Sequence, residues 1–297
     1  MFNNIKNILI ENNYSLKNIS TFKIGGNAKY FVECYSIKSI KQVVIRCIKT
    51  NMKYKLVGGC SNLLFDDNGY NGAIIRFSKD SVKKKKTNLL AYAGIDMSCL
   101  INFCTTYNLT GIENFIGIPC KLGGAIKNNL GAFNLEIGSI LKYVTFLRFN
   151  KTKTKLMKIR KKIKQNDFSY RKSNFLKEDD IIISAELKLK HLDKNQIVEN
   201  LKYYYNKKSS SQPLNYASCG SVFKRENDII PAKIIDDLGL KGVRIGDAEI
   251  SNKHAGFIVN LNNASSKNVL ELINLIKKEV KEKQDIDLNC EIEYVNF

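Results

Sequence analysis

The chain has 297 residues, 44% of them hydrophobic, and a net charge of +20 from 48 Lys and Arg against 28 Asp and Glu. That length suits two domains, or one domain with an added lobe; no stretch reaches the roughly 20 apolar residues that span a bilayer, and the polar N-terminus MFNNIKNILIENNYS has no small-residue cleavage site, so a cytoplasmic protein is expected. The charge is spread along the chain with runs at 83–86 and 151–164, which read as solvated loops or strand edges, so nucleic acid is not expected, although a positive field suits anionic ligands.

The first strong helix follows Ser36, a suitable N-cap, and carries Ile37, Ile40, Val44, Cys47 and Ile48 on one face. A short apolar run at 54–57 reads as a strand ending at Gly58-Gly59. Residues 66–69 form a turn and 72–77 another strand. The order then recurs. Residues 89–93 read as a strand, and Asp96 as the cap of a helix that turns Leu100, Phe103 and Cys104 inward. A glycine-rich segment at 117–131 follows, then a β-rich region from 143 to 192 with a basic middle and strands at 144–149 and 181–189. Residues 193–208 read as a helix that bridges two domains.

Beyond it, 231–238 is a short helix stopped by Gly239, and 257–259 a strand. Val269, Leu272, Ile273, Ile276 and Val280 mark an amphipathic helix, and 286–295 a closing strand. Strands and helices mix without regular βαβ alternation, so the fold class is α+β. Eight cysteines, none in a Cys-x-x-Cys pair, and only two histidines, His191 and His254, give no zinc spacing; reduced thiols and no metal are expected.

Three segments concentrate glycine: 21–28, 57–64 and 117–125. Glycine admits positive φ and close approach of backbone to a ligand, and successive N–H groups in such turns form an anion-binding concavity. Ser61 and Asn62 add side-chain donors. Each pair of glycines is ordinarily just a turn, and no segment matches the Rossmann or P-loop pattern. Three together point to one extended phosphate-rich cofactor without naming it.

The residues in sequence resemble a known family. TFKIGGNA (21–28), VGGCSNLLFDDNGYNGAII (57–75), AGIDMSCLINFC (93–104), GIENFIGIPCKLGGAIKNNLGAF (111–133), FSYRKSNF (168–175), SQPLNYASCGSVFKR (211–225) and DDLGLKGVRIGDAEISNKHAGFIVNLNNAS (236–265) occur in the order seen in UDP-N-acetylenolpyruvoylglucosamine reductases of the shorter class, which lack a substrate-capping insertion. The resemblance implies an FAD-binding two-lobed domain of the vanillyl-alcohol-oxidase/cytokinin-oxidase type over 1–192 and a C-terminal α+β substrate lobe over 193–297. It implies non-covalent FAD, NADPH as co-substrate, and UDP-N-acetylglucosamine enolpyruvate as substrate. A monomer is expected.

Carried over residue by residue, the resemblance makes Ser221 the proton donor, with Arg171 and Glu291 as its catalytic partners. Arg171 and Lys224 would bind substrate. Thr21, Gly25, Gly26, Gly58, Gly59, Ser61, Asn62, Gly117, Ile118, Pro119, Gly123, Gly124 and Ala125 would bind FAD. Glu293 is the rival for Glu291, two residues on and hence on the same face of a strand. The chain departs from the family pattern at Cys60 and Cys120, where glycine is usual, at Lys121, where Ser or Thr is usual, at Leu130, where a small residue is usual, and at Asn289-Cys290, where Glu-Pro is usual. The charge of Lys121 is suited to a phosphate. The other readings are a different FAD oxidoreductase of the same fold, and a basic nucleic-acid-binding protein built on Tyr203-Tyr204-Tyr205 beside Lys207-Lys208, a cluster that a helix face with a basic end explains more simply.

Overall fold

The computed structural model describes residues 1–2, 4–226 and 228–297. The chain packs into two compact units, and neither is contiguous. One comprises 1–12, 30–59 and 72–207; the other comprises 13–29, 60–71 and 208–297. The expected cut at 192/193 differs from this division in two ways. The change of unit falls inside the helix Lys194–Ser211, and two N-terminal segments pack with the C-terminal one.

In chain order the first half carries β1 (Ile8–Ser15), β2 (Asn27–Cys34), α1 (Ile37–Lys49), β3 (Tyr54–Val57), β4 (Leu63–Phe65), β5 (Tyr70–Phe77), β6 (Val82–Lys85), β7 (Asn88–Tyr92), α2 (Met97–Thr106) and α3 (Leu122–Lys127). A four-stranded sheet has the order β1-β2-β5-β3. Ser36 starts α1 as its sequence position predicts: its Oγ accepts from the Ser39 amide at 3.0 Å, and the Ser39 Oγ accepts from the Ser36 amide at 3.1 Å. Ile40, Val44 and Cys47 on the expected face are fully buried.

The larger sheet of the first unit is five-stranded and antiparallel. Its order is Leu156–Lys162, Leu141–Phe149, Ile181–Lys188, β7, β6. Both basic runs lie at its edges, in β6 and in Leu156–Lys162. Lysine on an edge strand blocks pairing with another chain, which accounts for these runs without a polyanionic partner. One core joins β2, α1, β5, β7 and α2 to the two central strands.

The second unit holds a four-stranded antiparallel sheet ordered Ala217–Ser221, Phe257–Asn260, Ala248–Ile250, Arg244–Ile245. The helix Ser266–Gln284 buries Val269, Leu272, Ile273, Ile276 and Val280, all five residues read from its period. Pro231 opens the short helix Pro231–Asp237, and Gly239 follows at φ +70°. Phe22, Ile24 and Leu64 from the N-terminal segments enter the same core.

The closing strand expected over 286–295 is a strand only at Glu293–Val295, where it pairs in parallel with β4. Before that the chain follows Val222–Lys224 through single bonds: Lys224 donates its amide to the Asn289 carbonyl and Glu291 to that of Val222. It changes partner midway, so no continuous ladder forms.

No disulfide forms among the described residues, and burial pushes the thiols of Cys34, Cys104 and Cys219 up to about 12. Among the described residues no group of His, Cys, Asp and Glu could hold a metal ion, and no helix is long and apolar enough to cross a membrane.

One buried ion pair ties the five-stranded sheet to the loop beyond it. Asp180 is 6% exposed and accepts from the Lys177 amide at 2.8 Å and from Arg148 Nε at 2.9 Å, while Arg148 Nη2 also donates to the Phe175 carbonyl at 2.7 Å. Arg148→Met should strand the carboxylate and cost about 3 kcal/mol, read from urea unfolding. A loss below about 1 kcal/mol, the range of an exposed pair, would show the site to be solvated.

Candidate active site

In the first unit two of the three glycine segments meet. Gly58-Gly59 follows β3 directly. A Cβ on Gly59 would stand 3.0 Å from Cys120 Cα, 3.1 Å from Lys121 N and 3.2 Å from Pro119 O. A side chain there would need the facing loop to give by a few tenths of an ångström, so glycine suits this close approach. The second loop opens at Gly117, φ +73°, with Ile118 half-buried and Pro119 exposed. It is tied to the end of β7 by backbone bonds from Met97 N to Cys120 O, Leu122 N to Ile95 O, and Gly123 N to Ala93 O, each 2.9 Å. Ala125 is 3% exposed, so its side chain belongs to the core and only its backbone is available to a ligand.

Gly124 differs from its neighbours. It lies outside the positive-φ region, and nothing stands within 4 Å of where its Cβ would be. Among the described residues neither conformation nor packing requires glycine there.

Two expectations for this loop are corrected. Asp96 occupies the N-cap position of α2, but its side chain makes no cap bond. Lys121, whose charge suited a phosphate, is instead bound by Asp96: its Nζ donates to Asp96 Oδ1 at 3.1 Å, to Oδ2 at 3.2 Å and to the Gly94 carbonyl at 3.0 Å. The ammonium is therefore engaged within the protein.

The third glycine segment lies in the second unit with Ser61 and Asn62. Gly25, at φ +130°, would bring a Cβ within 2.6 Å of Phe65 Cβ, and Gly26 would bring one within 2.6 Å of Gly69 N. Packing on 65–69 thus accounts for both glycines. Thr21 is different. Among the described residues its buried Oγ1 has no hydrogen-bond partner. A buried hydroxyl left unmatched costs about 1–3 kcal/mol, so a hydrogen-bonding group from outside the chain is favoured there. Cys60 is buried at φ +56°, the left-handed region where the family pattern has glycine.

The second unit also brings together Ser221, Lys224, Asn62 and Glu291. Ser221 ends its strand directly after Gly220, φ +80°, at an irregularity in the pairing with Phe257–Asn260. The next residue, Val222, accepts from the Glu291 amide at 2.7 Å. The Asn62 side chain donates to the Glu291 carbonyl at 2.9 Å, and its own carbonyl accepts from the Glu293 amide at 2.9 Å. Glu291 is thus fixed on both sides and half-buried, whereas Glu293 is exposed and lies in the strand. Lys224 is half-buried.

Arg171 belongs to the first unit. Strands Phe168–Ser169 and Lys172–Ser173 pair so that Tyr170-Arg171 is a two-residue turn, and Arg171 has φ +54°. A Cβ on Gly131 would stand 2.9 Å from Arg171 Nη1. The residue that organises this hairpin, Asn129, is not among those singled out from sequence. It is fully buried; its Nδ2 donates to Ser169 O at 3.0 Å and to Glu136 Oε2 at 2.8 Å, while Oδ1 accepts from Gly138 N at 3.2 Å. Its only signal in the sequence is an asparagine just before a glycine hairpin.

The sequence and fold match known proteins over nearly their full length. Residues 28–159 match the FAD binding domain and 212–295 the UDP-N-acetylenolpyruvoylglucosamine reductase C-terminal domain. The chain is 38% identical over 287 residues to the UDP-N-acetylenolpyruvoylglucosamine reductase of Clostridium novyi, covering 96% of this chain and 92% of the relative. It is 36% identical to that of Clostridium tetani over 294 residues, covering 98% and 94%. The crystal structure of the Thermus caldophilus enzyme superposes with a TM-score of 0.80 at 29% identity, covering 97% of this chain and 98% of that one. The C-terminal match sets aside the reading as a different FAD oxidoreductase.

The glycine analysis gives a direct test. Gly124→Ala should stabilise the flavin-free protein by about 0.5–1 kcal/mol through helix propensity and weaken FAD binding, followed by flavin fluorescence. A gain in stability with unchanged affinity would remove Gly124 from the cofactor site.

Proposed function

The chain belongs to the UDP-N-acetylenolpyruvoylglucosamine reductase family, a family of flavin oxidoreductases, and on that premise we propose that it reduces UDP-N-acetylglucosamine enolpyruvate to UDP-N-acetylmuramate with NADPH in peptidoglycan synthesis. A cytoplasmic location and a monomeric state belong to the same reading. Within the first unit, the meeting of Gly58-Gly59 with the backbone of 117–125 and the open space at Gly124 suit a bound FAD. Within the second, Thr21, Ser61 and Asn62 are the residues that family membership assigns to FAD, with Gly25 and Gly26 shaping the segment that carries Thr21. When bound, FAD supplies the chemistry of hydride transfer from NADPH to the vinyl carbon of the substrate.

The residues of the chain then have two tasks. The first is to meet the negative charge that develops on the substrate carboxylate and the carbon beside it. Arg171 is suited to this because a guanidinium donates two parallel bonds to a carboxylate. Its place in a two-residue turn held by buried Asn129 limits its movement. Lys224 would add a cation for the substrate phosphate or carboxylate, and Glu291, when protonated, a hydrogen bond to the carboxylate.

The second task is to protonate the carbon. A serine hydroxyl is a weak acid and serves only when its position is fixed and its acceptor is strongly basic. The backbone beside Ser221 supports the first condition. Val222 donates to Gly256 O at 2.9 Å and accepts from Glu291 at 2.7 Å, so the backbone on its C-terminal side is held twice. That shared support of Ser221 and Glu291 is the observation that carries the reading. Cys219, two residues before the serine, is 2% exposed and belongs to the core of the second unit.

Stopped-flow separation of the half-reactions tests the assignment. Ser221→Ala should leave flavin reduction by NADPH within about twofold of wild type and slow reoxidation by the enolpyruvyl UDP-sugar by about 10²–10⁴-fold, the range of general acid catalysis. Equal losses in both halves would exclude Ser221 as the proton donor.

A further inference from the structure

Lys121 is the feature of the cofactor loop that family membership does not explain. The family pattern has Ser or Thr there, a hydroxyl short enough to bond a cofactor; this chain has an ammonium already saturated by the protein. Its three acceptors lie between 3.0 and 3.2 Å, and its side chain is 15% exposed. Asp96 makes no bond at the α2 N-cap, the position it occupies. A capping carboxylate contributes about 1 kcal/mol, so its commitment to Lys121 gives up helix stability for a tie to the loop. The two residues also face each other across an isolated antiparallel bridge.

We infer that Lys121 is a positioning residue: its bonds to Asp96 and Gly94 hold the 117–125 loop in its binding shape before FAD arrives. The inference rests on the assignment of this loop to the cofactor. A loop ordered in advance gives up less conformational freedom on binding, so the tie should appear as affinity and association rate for FAD. Because Asp96 is 55% exposed, the pair is screened by solvent and its effect is modest.

The test uses the full chain, stripped of flavin and titrated with FAD, with stopped-flow fluorescence for association and hydrogen exchange for the loop. Lys121→Met and Asp96→Asn should each weaken FAD binding at least threefold, mainly through slower association. Each should also lose amide protection at 117–125 in the flavin-free protein and regain it with FAD bound. The double variant should be no worse than the weaker single one, because the two residues act as one unit. Lys121→Arg, which keeps a cation, should retain most of the affinity. Should Lys121→Met fail to fold, Asp96→Asn carries the same expectation.

A change below threefold in both single variants, or losses that add in the double variant, would overturn the inference. Gly124→Ala separates this from failure of the assignment beneath it. If Gly124→Ala weakens FAD while the Lys121 and Asp96 variants do not, the loop binds cofactor and the tie is only structural. If none of the three affects FAD, the loop is not the cofactor site.

Discussion

The parallel pairing of Glu293–Val295 with Leu63–Phe65 is the contact on which the arrangement of Asn62, Ser221 and Glu291 in the second unit depends. It joins segments about 230 residues apart in sequence, and parallel pairing always requires a long crossover. The Asn62 carbonyl accepts from Glu293 at the start of this ladder, and the Asn62 side chain holds the Glu291 carbonyl. The Glu291 amide then binds Val222, beside Ser221. Asn62 is therefore part of the support for Glu291 as well as a candidate cofactor residue. The second unit cannot be assembled from the C-terminal segment alone, since Phe22, Ile24 and Leu64 fill its core. Loop closure over such a distance has an entropic cost that its contacts must offset.

Much of the fold was legible because its signals are local. Ser36 and the apolar face after it define α1, Pro231 and Gly239 bracket a short helix, and the period through Val280 defines the long C-terminal helix. The closing strand shows where local signals end. Leu288 and Ile292 are buried and Glu291 only half-buried, an alternation that a strand would share. Alternation reports which residues face a core and does not report the partner. Here the partner changes from Val222–Lys224 to Asn62 and β4, so most of the segment has no ladder. The domain cut shows the same limit: a cut at 192/193 divides the chain once along its length, but tertiary pairing assigns 13–29 and 60–71 to the later unit.

At the candidate site, residue types were more legible than their relations. Ser221 and Glu291 came from family motifs, and the bond between Glu291 and Val222 supplies a physical connection the motifs do not contain. Asn129 was missed because its partners, Glu136, Gly138 and Ser169, lie up to 40 residues away and are polar groups of ordinary kind. Asp96 was recognised by position as a helix cap, yet the ion pair claims its carboxylate. An N-cap preference is worth about 1 kcal/mol, small enough for one well-placed ammonium to redirect.

The departures from the family pattern can be ranked by what the backbone asks of each position. Cys60 carries a real conformational cost: left-handed φ disfavours a residue with a Cβ by about 1–2 kcal/mol, and its burial offsets part of that. Cys120 lies outside that region, and its Cα already forms the wall against which Gly59 packs, so a side chain is tolerated there. Lys121 adds a cation and brings its own acceptors with it. Glycine remains at 59, where a Cβ would meet backbone, and at 124, where it would meet nothing in the protein. Of the three substitutions in these loops only that at 60 has a backbone cost; those at 120 and 121 fall where the protein itself absorbs them.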